Sequence, residues 1–108
     1  MSSINPRDYK IASELKRRLA EAVELIDFKI YGSKARGDDD VFSDLDVFIE
    51  VASLDRKTND LISEIAWEVS LENSIVISPL VFTRDEIENS PLRESPIVIN
   101  INEEGIRL

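Results

Sequence analysis

The sequence of 108 residues contains no cysteine and no histidine. Without cysteine the chain has no disulfide, no thiolate metal site and no cysteine nucleophile, which suits a reducing cytoplasm. Without histidine it has no Ser-His-Asp triad, no histidine-ligated zinc and no histidine general base. Any chemistry must therefore use carboxylates, hydroxyls, backbone amides, lysine, arginine or a hard metal ion.

Positive charge is also scarce, since 13 lysines and arginines face 22 aspartates and glutamates, which gives a net charge of −9. Because so acidic a chain repels nucleic acid, we expect no direct nucleic-acid binding. No apolar run approaches the roughly 20 residues that a membrane span needs. The first residues also lack the apolar core of a secretory signal, so we expect a cytoplasmic protein that does not associate with membranes.

Composition and periodicity predict one α+β domain over residues 1–108. Hydrophobic residues make up 43% and charged residues 32%, which is typical of a globular chain. Apolar spacing indicates two longer helices, two short helices, three strands and a terminal extended piece. The longer helices cover residues 6–25 and 56–72, and the short helices cover 83–88 and 96–104. The strands cover 26–31, 45–51 and 75–82, and the extended piece covers 106–108.

The expected architecture is a small mixed β-sheet of three to four strands with these helices packed on it. Pro79 lies inside the third strand, and this indicates an edge position or a bulge. The isoleucines at 97, 99 and 101 alternate as in a strand. Ser95-Pro96 is nevertheless a typical helix start and Gly105 a typical helix end, so a helix is favoured there.

The segment after the first strand has the composition of a phosphate-binding turn. Gly32 allows another group to approach the backbone closely, and Ser33 can offer a hydroxyl and an amide to an anion. Lys34 and Arg36 add positive charge nearby. A Gly-Ser pair alone is more often an ordinary turn, so its meaning depends on what lies beside it.

Asp44 and Asp46 begin the next strand and form a candidate metal site. Residues i and i+2 of a strand face the same side, with Cα atoms about 6–7 Å apart. Magnesium commonly uses one or two carboxylates together with substrate phosphates. An Asp-x-Asp pair is usually only a solvated strand start. If the two strands are antiparallel neighbours, however, Gly32-Ser33 and the aspartates share one rim of the sheet and form a nucleoside triphosphate site.

The string Gly32-Ser33-Lys34-Ala35-Arg36-Gly37, followed by Ser43-Asp44-Leu45-Asp46, resembles the signature of the DNA polymerase beta-like nucleotidyltransferase superfamily. It is most similar to the minimal nucleotidyltransferase (MNT) branch. The resemblance implies transfer of a nucleoside monophosphate from ATP or another NTP, and it implies that Asp44 and Asp46 bind one or two Mg²⁺ ions as catalytic residues. Gly32, Ser33, Lys34 and Arg36 would bind the nucleotide. Arg36 could equally pair with the acidic run 38–40, which we expect to be solvated.

Stand-alone MNT proteins are typically paired with a helical HEPN protein in a toxin–antitoxin complex. The resemblance therefore implies that the chain transfers AMP to a hydroxyl of such a partner and so acts as its antitoxin. Members of the superfamily usually supply a third carboxylate from a neighbouring strand, but here Ser78 is the only polar residue inside that strand. Glu50 and Glu72 are poorly placed to replace it. The alternative is a non-catalytic antitoxin that binds nucleotide or partner and acts by occlusion, and either a homo- or a hetero-oligomer is possible.

Overall fold

The computed structural model describes residues 4–37 and 43–108, and these residues form an α+β fold. Its elements, in chain order, are α1 (Pro6–Ala22), β1 (Leu25–Tyr31), α2 (Ser33–Arg36), β2 (Leu45–Val51), α3 (Arg56–Asn73), β3 (Ile77–Thr83), α4 (Arg84–Asn89), a 3-10 turn (Pro91–Glu94), α5 (Pro96–Glu104) and β4 (Ile106–Arg107). The predicted fold class is confirmed.

The helices begin at the residues that the sequence indicates. The side chain of Asn5 accepts a hydrogen bond from the backbone of Arg7 at 2.7 Å, and Pro6 fills the first helical position of α1. Asp55 caps α3 in the same way. The predicted capping box at Thr83 starts α4. No helix in the described parts of the chain combines the length and apolar character that crossing a membrane requires.

The four strands form one mixed sheet in the order β3-β2-β1-β4. β1 pairs with β2 and with β4 in the antiparallel sense, whereas β2 and β3 are parallel. The antiparallel pairing on which the shared rim depends is therefore present. β3 lies at the edge of the sheet, as Pro79 predicts, and β2 is buried on both faces at Val47, Phe48 and Ile49.

Helices cover both faces of the sheet. Residues of α1 and α3 pack with β1 and β2 in the larger core, which includes Leu15, Ile30 and Ile62. On the opposite face Phe48 packs with Phe82 of β3 and with buried residues of α5. α5 is a helix, as favoured. Its buried residues, Val98 and Ile101, are three positions apart and so lie on one helix face.

Several boundaries differ from the sequence-based expectation. α1 ends at Ala22 rather than at residue 25, because Leu25 already pairs with Val51 in the sheet. β3 begins at Ile77 rather than at residue 75, since α3 continues to Asn73 and Ser74 ends it in a left-handed conformation. α2 and the 3-10 turn were not predicted, because four residues are too few to show a helical period.

Candidate functional site

Asp44 and Asp46 lie on either side of a core residue at the start of β2. Leu45 is fully buried in the core beneath α1 and α3. Because side chains alternate along a strand, the two aspartates are directed away from that core. Asp44 is exposed and Asp46 is partly buried. In the sheet register Asp46 lies between Tyr31 of β1 and Ser78 of β3.

Gly32 is in direct contact with the carboxylate of Asp46. A Cβ atom placed on Gly32 would lie 2.6 Å from Oδ2 of Asp46, which is closer than real Cβ atoms approach an oxygen. A side chain at position 32 would therefore displace the Asp46 carboxylate from its place beside the turn. The Gly-Ser turn and the Asp-x-Asp pair, the two parts of the sequence motif, are in contact at this point.

Ser33 follows Gly32 directly and opens the single turn of α2. The carbonyl of Gly32 accepts hydrogen bonds from the backbone N–H groups of Ala35 and Arg36, both at 3.1 Å. The N–H of Gly37 donates to the carbonyl of Ser33 at 2.9 Å, with Gly37 in the left-handed region at φ 80°. These bonds hold Ser33 next to the Gly32–Asp46 contact.

The side chains of the two predicted cations point to different places. Lys34 is buried, and its ammonium lies 3.2 Å from Oδ2 of Asp8 on α1, so it is engaged with a carboxylate of that helix. Arg36 is more exposed and forms an ion pair with Glu104 of α5 at 3.5 Å. The charge of Arg36 also reaches Asp46, because it lowers the pKa of that carboxyl against stronger opposing effects. The acidic run 38–40, the other expected partner of Arg36, lies outside the described residues.

The surroundings of Asp46 make its negative charge less favourable than in water. Burial, and secondly the charge of Asp44, raise the pKa of Asp46 above its usual range. Burial and the charge of Asp46 likewise raise the pKa of Tyr31. A positive charge close to Asp46 would therefore stabilise its ionised form, as the charge of Arg36 does in part. Two carboxylates at one rim are also the oxygen donors that Mg²⁺ uses together with phosphates, so the donor set fits that ion.

Ser78 occupies the strand position opposite Asp46 where a third carboxylate was expected from the resemblance. Its hydroxyl donates a hydrogen bond to Oδ2 of Asp44 at 3.2 Å. Glu72 instead pairs with Arg18, at 2.7 Å for both hydrogen bonds, and Glu50 lies toward the other end of β2. Within residues 4–37 and 43–108 no group of three acidic side chains forms a metal-binding cluster.

Sequence reasoning missed two neighbours of the aspartates. The sequence predicts Tyr31 only as the last residue of a strand, and the antiparallel register is what places it beside Asp46. For Ser78 the sequence indicates only a polar position inside a strand. Its bond to Asp44 depends on the parallel register of β2 and β3, for which the local sequence carries no signal.

Comparisons with known proteins agree with this arrangement. The family model described as "Nucleotidyltransferase domain" matches residues 10–108. A protein of Methanocaldococcus jannaschii, named "Putative protein adenylyltransferase", is 40% identical in an alignment of 68 residues. The match covers 56% of this chain and 69% of the relative. The match to the family model includes the Gly32-Ser33 turn, both aspartates and Ser78.

Proposed function

This chain belongs to the nucleotidyltransferase domain family, and from that premise we propose that it transfers AMP from ATP to a hydroxyl group of a protein partner. The family supports nucleotidyl transfer, and the relative's name supports a protein as acceptor. The observation that carries the proposal is the contact between Gly32 and Asp46, because it joins the turn proposed for phosphate to the carboxylates proposed for metal.

Each residue of the site has a proposed role in this reaction. Asp44 and Asp46 hold magnesium, with Ser78 orienting Asp44 through its hydrogen bond. A bound magnesium ion would supply Lewis-acid polarisation of the phosphoryl oxygens and offset charge on the leaving pyrophosphate. Ser33 binds the triphosphate, and Arg36 places positive charge near it. Lys34 fixes the turn to α1 through its ion pair with Asp8.

The chemical step is a substitution at the α-phosphorus. The acceptor oxygen forms a bond to that phosphorus, the bond to the oxygen that bridges to the β-phosphate breaks, and pyrophosphate leaves with the electron pair. The acceptor proton passes to solvent or to a base of the partner, since the chain has no histidine and Ser78 is a poor base. The residues of this chain therefore act by positioning and by charge stabilisation.

The partner in this proposal is a helical HEPN-type toxin in the cytoplasm, which the chain neutralises as an antitoxin. The test incubates the purified chain with ATP, MgCl₂ and that partner, and measures the partner's mass. We expect the partner to gain the mass of one AMP, and we expect the gain to disappear in EDTA and to fall at least about 100-fold in Asp44→Asn or Asp46→Asn.

Asp85→Asn is the matched control for that test, because it removes the same charge from an exposed position on α4, beyond the far end of β3. It should leave transfer unchanged. An unaltered mass gain in both site variants would contradict the proposed roles of Asp44 and Asp46. The absence of any AMP on the partner with the unmodified chain would contradict transfer to that partner.

A second candidate function is neutralisation by occlusion, without transfer. The observation that favours it is Ser78, which stands opposite Asp46 where a carboxylate would complete the acidic set. Under this alternative Asp44→Asn and Asp46→Asn neutralise the toxin fully, and the partner's mass does not change. The toxic activity of the partner and its mass, measured on the same samples, separate the two functions.

A further inference from the structure

An apolar groove of about 640 Å³ lies between α3 and the outer edge of β3, on the side of the sheet opposite the aspartates. We call it the α3–β3 groove. Trp67 and Leu71 of α3 form one wall, and Val76, Ile77 and Pro79 form the other. None of the residues that line it carries a charge.

The groove contains the most exposed large hydrophobic side chains of the described residues. Trp67 is 64% exposed, Val76 61% and Leu71 60%. Covering a large apolar side chain stabilises a complex, so three of them next to one another offer a large contact surface. Contiguous exposed apolar patches of this kind mark interaction sites on folded proteins.

The charged side chains of α3 that lie beside Trp67 are all acidic. Asp60, Glu64 and Glu68 are exposed and follow one another at four-residue spacing, so they form a row along α3 beside Trp67 and Leu71. Residues 58–83 contain no lysine and no arginine. The basic residues of α3 are confined to its first turn, Arg56–Lys57. The apolar groove is therefore bordered by an acidic row.

This charge pattern selects the kind of partner. A second copy of the chain would bring the same acidic row against itself in a two-fold interface, and such like-charge contacts are unfavourable. Addition of a strand to the edge is also disfavoured, because Pro79 supplies no backbone N–H in the middle of β3. An amphipathic helix with apolar and basic faces satisfies both constraints.

We propose that the α3–β3 groove docks an amphipathic helix of a basic protein partner. Ile77 and Pro79 of β3 line the groove. Ser78, which lies between them, donates a hydrogen bond to Asp44 on the other side of the sheet. A docked partner is therefore held close to the rim of the sheet that carries Asp44 and Asp46. The groove and the site share β3 but no residue. Docking therefore does not depend on the proposed transfer of AMP. If the experiments contradict one of these two proposals, the other can still be tested.

Trp67 makes the test direct, because it is the sole tryptophan of the chain. The probe is a synthetic, tryptophan-free amphipathic peptide of leucine and lysine, compared with one that has glutamate in place of lysine. With the lysine peptide we expect the Trp67 emission to shift to shorter wavelength and acrylamide quenching to fall. The glutamate peptide should cause neither change. Equal responses to the two peptides, or no response to the lysine peptide, would overturn the proposal.

Leu71→Glu distinguishes docking in the groove from general attraction to an acidic protein. This variant becomes more acidic, so unspecific attraction predicts equal or tighter binding, whereas docking predicts at least tenfold weaker binding. Ile99→Glu is the matched control, because it introduces the same charge at a 42% exposed isoleucine on α5, and its affinity should stay unchanged. Circular dichroism melting verifies that both variants fold.

Two results from these variants would contradict the groove as the docking site. One is an unchanged affinity in Leu71→Glu, and the other is an equal loss in both variants. Sedimentation of the chain alone provides a further check. A concentration-dependent dimer that itself shifts the Trp67 emission would assign the groove to a second copy instead of a basic partner.

Discussion

At the scale of single residues, the backbone of Gly32 shows how closely the two parts of the site are fitted. Its φ of 76° and ψ of −154° fall in a region that is essentially reserved for glycine. The space that a Cβ would need is taken by the carboxylate of Asp46. The backbone conformation therefore favours glycine, and a Cβ atom would in addition displace the Asp46 carboxylate.

We predict that Gly32→Ala costs about 1–3 kcal/mol of unfolding free energy from backbone strain, with a further cost from the clash, and abolishes transfer. Urea denaturation measures the first effect and the partner's mass gain the second. The control compares Asp46→Ala with Gly32→Ala/Asp46→Ala, in which the clash is gone but the strain remains. If Gly32→Ala costs as much stability in the Asp46→Ala background as in the unmodified chain, the clash with the carboxylate is not part of the cost.

The charge of Glu50, like that of Asp46, is made unfavourable by burial in the fold. It is buried, and its pKa is raised first by that burial and then by the charges of Asp27 and Glu88, with Arg84 and Lys29 partly opposing them. A raised pKa means that the folded chain holds this proton more tightly than the unfolded chain. The associated stability is present below the unfolded pKa and is lost as the pH rises through the folded pKa.

We therefore predict that Glu50→Gln stabilises the protein at pH 7 by up to about 1 kcal/mol and has little effect near pH 4. The variant has no carboxyl to ionise, so it lacks the loss that the unmodified chain undergoes as the pH rises. Thermal melts from pH 4 to pH 7 give the difference directly. A difference that shrinks toward pH 7 would show that the Glu50 carboxylate is well compensated in the fold.

At the scale of elements, the buried pair of Lys34 and Asp8 fastens the short helix α2 to α1. Both side chains are almost inaccessible to solvent, and the contact measures 3.2 Å. Four residues cannot form a stable helix alone, so the position of α2 depends on this attachment and on its packing. Ser33 stands at the start of the same helix and depends on it in turn.

We predict that Asp8→Ala costs about 1–3 kcal/mol of unfolding free energy, because the buried charge of Lys34 loses its contact with Asp8. Glu21→Ala provides the comparison, since it removes one contact of an exposed pair with Arg17 and should cost less than about 1 kcal/mol. Urea unfolding of both variants gives the two values. Similar losses in the two variants would mean that the buried pair does not fasten α2.

The elements also show what a sequence can and cannot predict. Long periodic segments such as α3 and the run from residue 45 to 51 were predicted almost to the residue, because burial imposes their pattern. Gly32 and Asp46 could be singled out from spacing, since a strand and a turn place them by local rules. The burial of the Lys34 side chain could not be predicted in this way, because it depends on where α1 packs. The bond from Ser78 depends on the register of two strands separated by a helix.

At the scale of the whole molecule, the net charge of −9 acts on a small volume. The radius of gyration is 13.3 Å, whereas the Debye length is about 30 Å at 0.01 M salt and about 8 Å at 0.15 M. In dilute salt each excess charge therefore repels the others across the entire fold. The opposing surface pairs, such as Arg36 with Glu104, contribute little each.

We predict that raising NaCl from 10 mM to 500 mM stabilises the protein by about 1 kcal/mol, or roughly 4–8 °C in Tm, because screening relieves this repulsion more than it weakens surface pairs. Calorimetry at pH 7 measures the shift. Glu94→Lys combined with Glu103→Lys serves as the control, since both positions are exposed and the exchange lowers the excess negative charge. Its melting temperature should depend less on salt. A Tm that falls with added NaCl would mean that local ion pairs outweigh the general repulsion.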